Sequence, residues 1–289
     1  MKASLFTITA QTNLHPGSGD ANYGIIDKLV QRDTLSDLPT IHTSSLKGAI
    51  LQHFFKQNPE EVTDAYIDEV FGGQNSESKR RDRKRRDESK TGEFVFMQAQ
   101  LLSLPVRSNP VAFFRVASTG ILSDLRQSIL NVGLAQTDNP LVQTLELLAK
   151  ESNEQPVVLE ENHAGKHQLE DLKNLNFIKT AATGSGLDKV KALLGAPVVV
   201  VSDELMSQLA DNHHLPVIAR NHLENGQSTN LWYEQVLPRQ TRFAFVLLRP
   251  AQPRIASDFD ARLTQQGLVQ IGANATVGYG YCEIKPVTF

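Results

Sequence analysis

The chain has 289 residues, 40% of them hydrophobic, and a formal net charge of −3. This suffices for a substantial core in one elaborated domain or two small ones, and it excludes a polycation. No stretch approaches the ~18 apolar residues of a membrane helix, and the first residues lack the apolar core of a signal peptide. The one cysteine, Cys282, excludes an internal disulfide and a cysteine-built zinc site. We therefore expect a cytoplasmic protein without membrane contact.

The charge is distributed unevenly along the chain. Residues 79–90, KRRDRKRRDESK, hold eight of the 29 lysines and arginines against three acids, or +5, so the rest of the chain carries −3 − 5 = −8. A charge block this dense cannot bury itself, which predicts a flexible insertion over 73–92. Such a run can also bind the phosphates of a nucleic acid without selecting particular bases.

The first half of the chain mixes strands and helices. Alternating polar and apolar residues at 4–10 predict a strand with one buried face. Helical spacing runs from 45 to 57, before Pro59, and again from 60 to 71, before Gly72 and Gly73. The patterns further along predict strands at 93–102 and 113–117 and helices at 124–132 and 141–150.

The second half begins with a polar segment, 151–187, in which we predict no element. Four consecutive valines at 198–201 indicate a buried strand. Segments 216–220 and 231–236 flank an Asn-Gly dipeptide, which is typical of a β-hairpin. The remaining predictions are helices at 204–210 and 258–266, a strand at 242–248, and a strand, loop and strand from 269 onwards. Without regular βαβ spacing, this order favours an α+β fold.

Residues 13–51 contain the strongest candidates for chemistry. A turn-forming cluster, His15-Pro16-Gly17-Ser18-Gly19, permits positive φ and close approach of a bulky group such as a phosphate. Ser44 or Ser45 is a good N-cap for the helix that follows. Free N–H groups at that helix start, with Lys47 in its first turn and Gly48 beside it, suit an anion.

Asp27 lies between these two motifs and has two interpretations. It follows two isoleucines and precedes Lys28 and Arg32, so it is either a loop acid paired with one of those cations or a reactive carboxylate. A reactive carboxylate orients or deprotonates a hydroxyl, or holds a divalent cation. His15 is a proton-transfer candidate, although a histidine before proline in a turn is more often structural.

Other motifs are weaker or absent. The sequence has no GxxxxGK, GxGxxG or HExxH. His163 and His167 are four residues apart, but Gly165 between them argues against a rigid helical metal site. A glycine loop near the C-terminus offers a second place for close backbone approach, through Gly272, Gly278 and Gly280. Tyr279 within it can stack on a base or belong to the core.

Several motifs together resemble a known family. In chain order they are HPGSG, IIDKLVQRD, SSLKGA, LLSLPVRS, LWYEQVLP and QIGANATVGYG. Their order resembles the RAMP superfamily, and specifically the repeated backbone subunit of the type III-B CRISPR (Cmr) effector complex, over nearly the whole chain. HPGSG and the glycine loop alone would indicate only the superfamily, whereas the combination is far more specific.

The resemblance implies one RAMP domain over 1–289, with a modified ferredoxin-like (RRM-like) palm. An inserted helical region and a thumb-like β-hairpin within 211–233 would belong to it. It further implies that copies stack along a CRISPR guide RNA with the other Cmr subunits. Each copy would flip a nucleotide and cut the target RNA there. The implied cofactor is a divalent metal ion of the Mg or Mn type that is not tightly bound.

The resemblance also assigns roles to individual residues. The family's catalytic loop aspartate falls on Asp27, which is then also a candidate metal ligand. The guide-binding motif falls on Ser44, Ser45, Lys47 and Gly48, and the glycine loop is expected to contact RNA. Weaker catalytic candidates are His15, Tyr233 and Glu234.

The chain departs from the family pattern in two places, and two rival functions stay open. Ile41-His42-Thr43 stands where the family often has Pro-Gly, and Gly272-Ala273 stands where it has Gly-Gly. Both differences affect the expected backbone path.

The first rival function is a non-catalytic RNA-binding scaffold of the same complex. The second is a CRISPR precursor-RNA-processing endoribonuclease, which usually relies on a histidine-centred site without metal.

Overall fold

The computed structural model describes residues 1–19, 24–57, 60–73, 91–109, 111–172, 175–265 and 267–289. The basic run at 79–90 lies outside these ranges, as does the predicted 73–92 insertion except for its ends. Within the described residues, no helix has the length and apolar character needed to cross a bilayer.

Fourteen strands are found in the described residues. They are β1 Lys2–Ala10, β2 Thr40–Ile41, β3 Val95–Phe96, β4 Ala99–Asn109, β5 Phe113–Ser118, β6 Val157–Val158, β7 Gly165–Leu169, β8 Leu175–Lys179, β9 Val198–Val201, β10 Val217–Glu224, β11 Gln227–Gln235, β12 Arg242–Arg249, β13 Val269–Gln270 and β14 Tyr281–Pro286.

Twelve of these strands form one mixed sheet. Its main path runs β13-β14-β1-β12-β4-β5-β9-β6-β8-β7, with β2 added to β4 and β3 to β12. The strands β14, β1, β12 and β4 are neighbours in that order, and each pair is antiparallel. Parallel pairing occurs between β5 and β9 and between β6 and β8. The predicted α+β class is confirmed.

Seven α-helices are found in the same residues, and they cover both faces of the sheet. They are α1 Thr43–Phe55, α2 Asp64–Phe71, α3 Thr119–Asn131, α4 Pro140–Glu151, α5 Gly184–Leu194, α6 Asp203–Leu209 and α7 Phe259–Gln265. Side chains of α1, α2, α6 and α7 enter one apolar cluster, and side chains of α3, α4 and α5 enter a second.

The strand predicted at 4–10 is present, but the prediction that only one face of it is buried was wrong. Phe6 and Ile8 belong to the first cluster, where the Phe6 ring stacks on Phe245 at 5.3 Å. Leu5 belongs to the second cluster on the opposite face. The inserted helices supply this second layer, so β1 is buried on both sides, and alternation of polarity along a single strand could not reveal that.

Two further predictions need correction. The polar segment 151–187 forms the short strands β6, β7 and β8 and the start of α5, although its sequence indicated no element. The helix predicted from residue 124 begins at Thr119, where the hydroxyl of Ser118 accepts the N–H of Ile121. Ser118 ends β5, so one residue closes the strand and caps the helix.

The hairpin predicted from the Asn-Gly dipeptide is present. Strands β10 and β11 pair only with each other, as a separate two-stranded sheet. Asn225 and Gly226 at its tip have φ of 50° and 82°, the left-handed values that a tight hairpin turn requires. The hairpin ends at Gln235, two residues beyond the predicted 211–233 segment.

Candidate active site

Asp27 is exposed and is held against the base of the hairpin. Its backbone N–H donates to the carbonyl oxygen of Tyr233 at 3.1 Å, and the N–H of Tyr233 donates back to Asp27 Oδ2 at 2.7 Å. The N–H of Lys28 donates to the same carbonyl at 3.2 Å. One carboxylate oxygen is therefore fixed by β11, while the side chain as a whole remains open to solvent.

The described residues do not show the alternative in which Asp27 pairs with a neighbouring cation. Lys28 directs its Nζ toward Glu234 at 3.6 Å. Arg32 donates to the carbonyl oxygen of Ala210 and to Asn212 Oδ1. Both cations of the IIDKLVQRD motif thus stabilise other parts of the site.

Asp27 lines an open cleft of about 640 Å³. The lining comes from the HPGSG turn, the Asp27 segment, the start of α1 and the C-terminal glycine loop. It consists of His15, Pro16, Gly17, Ser18, Gly19, Asp27, Lys28, Leu29, Ser45, Gly272 and Ala273. Motifs that are more than 200 residues apart in sequence therefore meet around one carboxylate.

His15 and Glu234 lie beneath this cleft rather than in solvent. His15 is 2% exposed, and its Nδ1 lies 2.6 Å from the carbonyl oxygen of Gln235. This contact requires a proton on Nδ1, because a carbonyl oxygen can only accept. His15 Nε2 lies 3.9 Å from Glu234 Oε1, and Glu234 is 1% exposed. Both side chains therefore anchor the structure in this state.

Glu234 connects three parts of the chain. Its Oε2 accepts from Arg220 Nη1 at 3.1 Å and from Asn274 Nδ2 at 2.7 Å. Its Oε1 faces Lys28 Nζ and His15 Nε2. A buried carboxylate persists when cations and donors surround it in this way. The hairpin, the glycine loop and the Asp27 segment thus share one buried charge.

The start of α1 forms one wall of the cleft, but the predicted cap was wrong. The N-cap residue is His42, with no side-chain cap bond, and Ser44 and Ser45 lie inside the first turn. The first N–H groups of a helix have no partner within the helix, so this turn presents donors to an anion. Gln31 connects the two motifs, donating from Nε2 to the carbonyl oxygen of Gly17 and to Ser45 Oγ.

Lys47 and Gly48 are placed differently from the serines. Neither belongs to the cleft lining recorded for the described residues. Lys47 Nζ lies over the Phe96 ring at 5.9 Å, and burial lowers the pKa of its ammonium group. A Cβ at Gly48 would meet nothing within 4 Å, so the helix surface there has room for a ligand.

The C-terminal glycines serve two purposes. Gly272 has φ of 81°, and a Cβ there would lie 2.3 Å from the carbonyl oxygen of His15. A Cβ at Gly280, with φ of 78°, would lie 2.0 Å from the carbonyl oxygen of Ile271. These two glycines therefore permit contact with the protein's own backbone. Gly278, with φ of 86°, faces open space and remains a candidate for RNA contact.

The donor set around Asp27 fits only a loosely held divalent cation. Within the described ranges, no group of three or more His, Cys, Asp or Glu side chains is placed to hold a metal. Mg²⁺ commonly binds one or two carboxylates together with substrate phosphates and water. Asp27 offers one carboxylate, and a bound nucleic acid would have to provide the phosphate ligands.

Three residues that sequence analysis missed organise the site: Gln31, Arg220 and Asn274. Gln31 is 6% exposed and accepts the N–H of His42 as well as donating to the HPGSG turn. Asn274 has φ of 66° and ψ of 32°, a conformation that asparagine tolerates well. The position of Asn274 inside the glycine loop was its only signal in the sequence. The partners of these residues are distant in sequence, so their contacts could not be predicted from local patterns.

A family model described as the RAMP superfamily matches residues 7–283. The chain belongs to the RAMP superfamily. This match covers every motif that forms the cleft, from the HPGSG turn to the glycine loop.

Two characterised proteins are similar to this RAMP chain along its whole length. The CRISPR system Cmr endoribonuclease Cmr4 of Pyrococcus furiosus is 26% identical over 302 residues, covering 100% of this chain and 97% of that protein. The CRISPR system CMR subunit Cmr4 of Saccharolobus solfataricus is 24% identical over 309 residues, covering 97% of this chain and 95% of that protein.

Solved structures share the fold of this RAMP chain. A chain of the type III-B Cmr-beta complex bound to cognate target RNA has a TM-score of 0.80 and 24% identity, with 99% of this chain and 98% of that chain covered. Oligomeric Cmr4 from Pyrococcus furiosus has a TM-score of 0.64 and 21% identity, with 100% of both chains covered. At these identities the likeness establishes the fold.

Proposed function

We propose that this protein is a guide-RNA-binding backbone subunit of a Cmr complex. The subunit cleaves complementary target RNA, with Asp27 as its catalytic residue. One observation supports the catalytic assignment above the others: an exposed carboxylate, fixed by Tyr233, stands in a cleft between two glycine-containing turns and a helix start. The similarity to a Cmr endoribonuclease over the whole chain supports the same assignment. Target RNA, guide RNA, further copies and other Cmr subunits are the proposed partners.

Binding by shape and phosphates suits the proposed role. A subunit that holds a guide needs no base code of its own, because pairing between guide and target supplies the sequence recognition. The first turn of α1 offers backbone donors and two serine hydroxyls, and Lys47 adds a positive charge. Gly48 and Gly278 leave room for close approach of the RNA backbone.

The proposed chemistry is transesterification within the target strand. A ribose 2′-oxygen attacks the adjacent phosphorus, and the bond from phosphorus to the 5′-oxygen breaks, giving a 2′,3′-cyclic phosphate and a 5′-hydroxyl. The reaction requires in-line geometry, so distortion of the strand contributes to the rate. Asp27 accepts the 2′-hydroxyl proton or acts as the one protein ligand of a divalent cation, which would stabilise charge at the phosphate.

We also propose a ferredoxin-like palm and a thumb within this fold. The order β14-β1-β12-β4, antiparallel throughout, supports the palm, with α1 between β1 and β4 and α7 between β12 and β14. The hairpin of β10 and β11 supports the thumb, because it forms a separate two-stranded sheet and exposes Leu231 and Tyr233. A separate hairpin with exposed apolar side chains is suited to separating stacked bases.

The burial of His15 argues against the precursor-processing alternative. A histidine-centred ribonuclease site needs an imidazole in contact with RNA. Here the ring is 2% exposed, and its Nδ1 is engaged by the carbonyl oxygen of Gln235. The scaffold alternative shares the same fold, so only an activity measurement separates it from the proposed function.

The test is Asp27→Asn in a complex reconstituted with guide RNA and a complementary target. The substitution keeps the shape and an acceptor for the Tyr233 N–H but removes the charge. We expect target cleavage to fall by about 100-fold or more, with guide loading unchanged. The matched control is Asp138→Asn, an identical change at an exposed aspartate before α4, and it should leave cleavage unchanged.

One outcome of the Asp27→Asn experiment would contradict the catalytic assignment. If Asp27→Asn cuts the target at the rate of the unaltered complex while loading guide normally, Asp27 is not catalytic and the scaffold function stands. Product ends with a 2′,3′-cyclic phosphate would support attack by the 2′-oxygen. Ends with a 3′-hydroxyl and a 5′-phosphate would show that water is the nucleophile.

A further inference from the structure

The base of the hairpin contains a stack of aromatic and cationic groups that the cleavage chemistry does not use directly. The Arg220 guanidinium lies 5.9 Å from the Trp232 ring and 5.8 Å from the Tyr279 ring. Lys28 Nζ lies 5.1 Å from the same indole. Arg220 thus touches its partner strand β11, where it pairs with Trp232 in register, and also the C-terminal glycine loop.

The same guanidinium is bound to the buried carboxylate of Glu234. Asn274, from the glycine loop, donates to the same oxygen, Oε2, at 2.7 Å. Within the described residues, the hairpin makes no backbone pairing with the large sheet. Its orientation therefore depends on contacts at its base, which include these two donors to Glu234 and the main-chain bonds of Tyr233 and Gln235 to the Asp27 segment.

We propose that Arg220 and Asn274 are positioning residues for target cleavage, which hold Glu234 and thereby fix the main chain that orients Asp27. Glu234 directly follows Tyr233, whose N–H and carbonyl group hold the Asp27 segment. Because only Tyr233 lies between them, a displacement of β11 at Glu234 would also displace the Asp27 carboxylate. The proposal rests on the proposed function of Asp27.

The chemistry of both side chains suits this role. A planar guanidinium can lie flat on aromatic rings while its in-plane N–H groups donate to a carboxylate. Asparagine accepts the left-handed backbone at 274 and still offers an amide to Glu234. Burying the Glu234 carboxylate, at 1% exposure, is costly unless donors such as these are paired with it.

The first measurement uses the free protein and does not depend on cleavage. Trp232 is the only tryptophan in the chain, so intrinsic fluorescence reports on the stack alone. Its indole N–H is buried and has no hydrogen-bond partner in the described part of the chain. We expect Arg220→Ala to shift the emission to longer wavelength, because water gains access to the ring. An unchanged spectrum would contradict the stack.

The matched control is Arg126→Ala. Arg126 Nη2 binds Glu146 at 2.8 Å and its side chain is 25% exposed, close to the 22% of Arg220. It lies on α3, among the inserted helices, and takes no part in the cleft lining. Its partner Glu146 is 42% exposed whereas Glu234 is 1% exposed, so this variant tests the loss of an arginine ion pair without a buried carboxylate. It should change neither the tryptophan emission nor cleavage.

The second measurement separates rate from binding in the assembled complex. For Arg220→Ala and for Asn274→Gly, we expect the single-turnover rate at saturating target to fall about 10- to 100-fold, because a misplacement of ~1 Å costs this much. Guide loading and target affinity should not change. Glycine keeps the left-handed backbone at 274, so Asn274→Gly decides the question if Arg220→Ala fails to assemble. Added guanidinium ion should restore part of the Arg220→Ala rate, and methylammonium should not.

The outcomes distinguish this inference from the function on which it rests. If Asp27→Asn abolishes cleavage while Arg220→Ala and Asn274→Gly cut at the unaltered rate, the positioning roles are wrong and the catalytic role of Asp27 stands. If Arg220→Ala and Asn274→Gly lose target affinity instead of rate, the two side chains serve binding and the inference is also wrong. If Asp27→Asn itself cuts normally, the proposed function fails first.

Discussion

At the scale of single residues, the site combines one exposed carboxylate with buried supporting groups. Asp27 is exposed, whereas His15 and Glu234 are almost fully buried, although the family motifs presented all three as candidates. Burial decides between these roles because an acid or base must reach the proton it transfers. The two buried groups support the main chain around Asp27 and expose almost none of their surface in this structure.

A prediction at this scale concerns Gly272. Gly272→Ala would place a Cβ 2.3 Å from a backbone oxygen of His15, at a φ of 81°. Strain and overpacking together should lower the free energy of unfolding by about 2–5 kcal/mol, measured by urea denaturation. Gly278→Ala is the control, since its φ of 86° is also positive but its Cβ would meet open space. It should cost about 1 kcal/mol, and equal losses would contradict the close approach to His15.

At the scale of elements, the hairpin combines a buried base with an exposed tip. Glu234 and Gln235 at the base are buried, while most of the strand residues toward Asn225 are exposed. An isolated two-stranded hairpin is marginally stable in water, so the base contacts maintain its orientation. The outer part is therefore available to a partner, and the inner part belongs to the site.

The corresponding prediction is a shortened hairpin. Replacing residues 223–229 by Asn-Gly joins His222 to Asn230, which already face each other in register, and keeps every contact at the base. Thermal stability and guide loading should be unchanged, whereas target cleavage should fall at least ~10-fold, because the strand is no longer splayed into in-line geometry. Gln227→Ser controls for altered tip chemistry. Undiminished cleavage by the shortened protein would show that residues 223–229 take no part in splaying the target strand.

At the scale of the whole molecule, the chain assembles one cleft from segments near its two ends. Strand β1 lies between β14 and β12, so the first and last strands of the chain are direct neighbours in the sheet. The HPGSG turn follows β1, and the glycine loop precedes β14. The hairpin precedes β12 and lies beside the cleft, where Tyr233 holds Asp27.

A prediction at this scale concerns the divalent metal. Because the described residues offer one carboxylate and no three-ligand group, EDTA should abolish target cleavage by the assembled complex while leaving the fold unchanged by circular dichroism. Added Mg²⁺ or Mn²⁺ should restore it. Cleavage at the full rate in EDTA would contradict the metal proposal. Specific cutting of repeat RNA by the isolated protein in EDTA would favour the precursor-processing function.

The sequence by itself determined the α+β class, most element positions, the Asn-Gly hairpin and the motifs that carry the family resemblance. These features depend on local periodicity, turn chemistry and residue order. All three can be recognised in the sequence without knowing which residues become neighbours in space. Tertiary structure alone decided that β1 is buried on both faces, that 151–187 forms strands, and that His42 rather than a serine precedes α1. It also decided the contacts among Glu234, Arg220 and Asn274. Their partners lie on distant segments, and a buried charge is stabilised only by groups that folding brings to it.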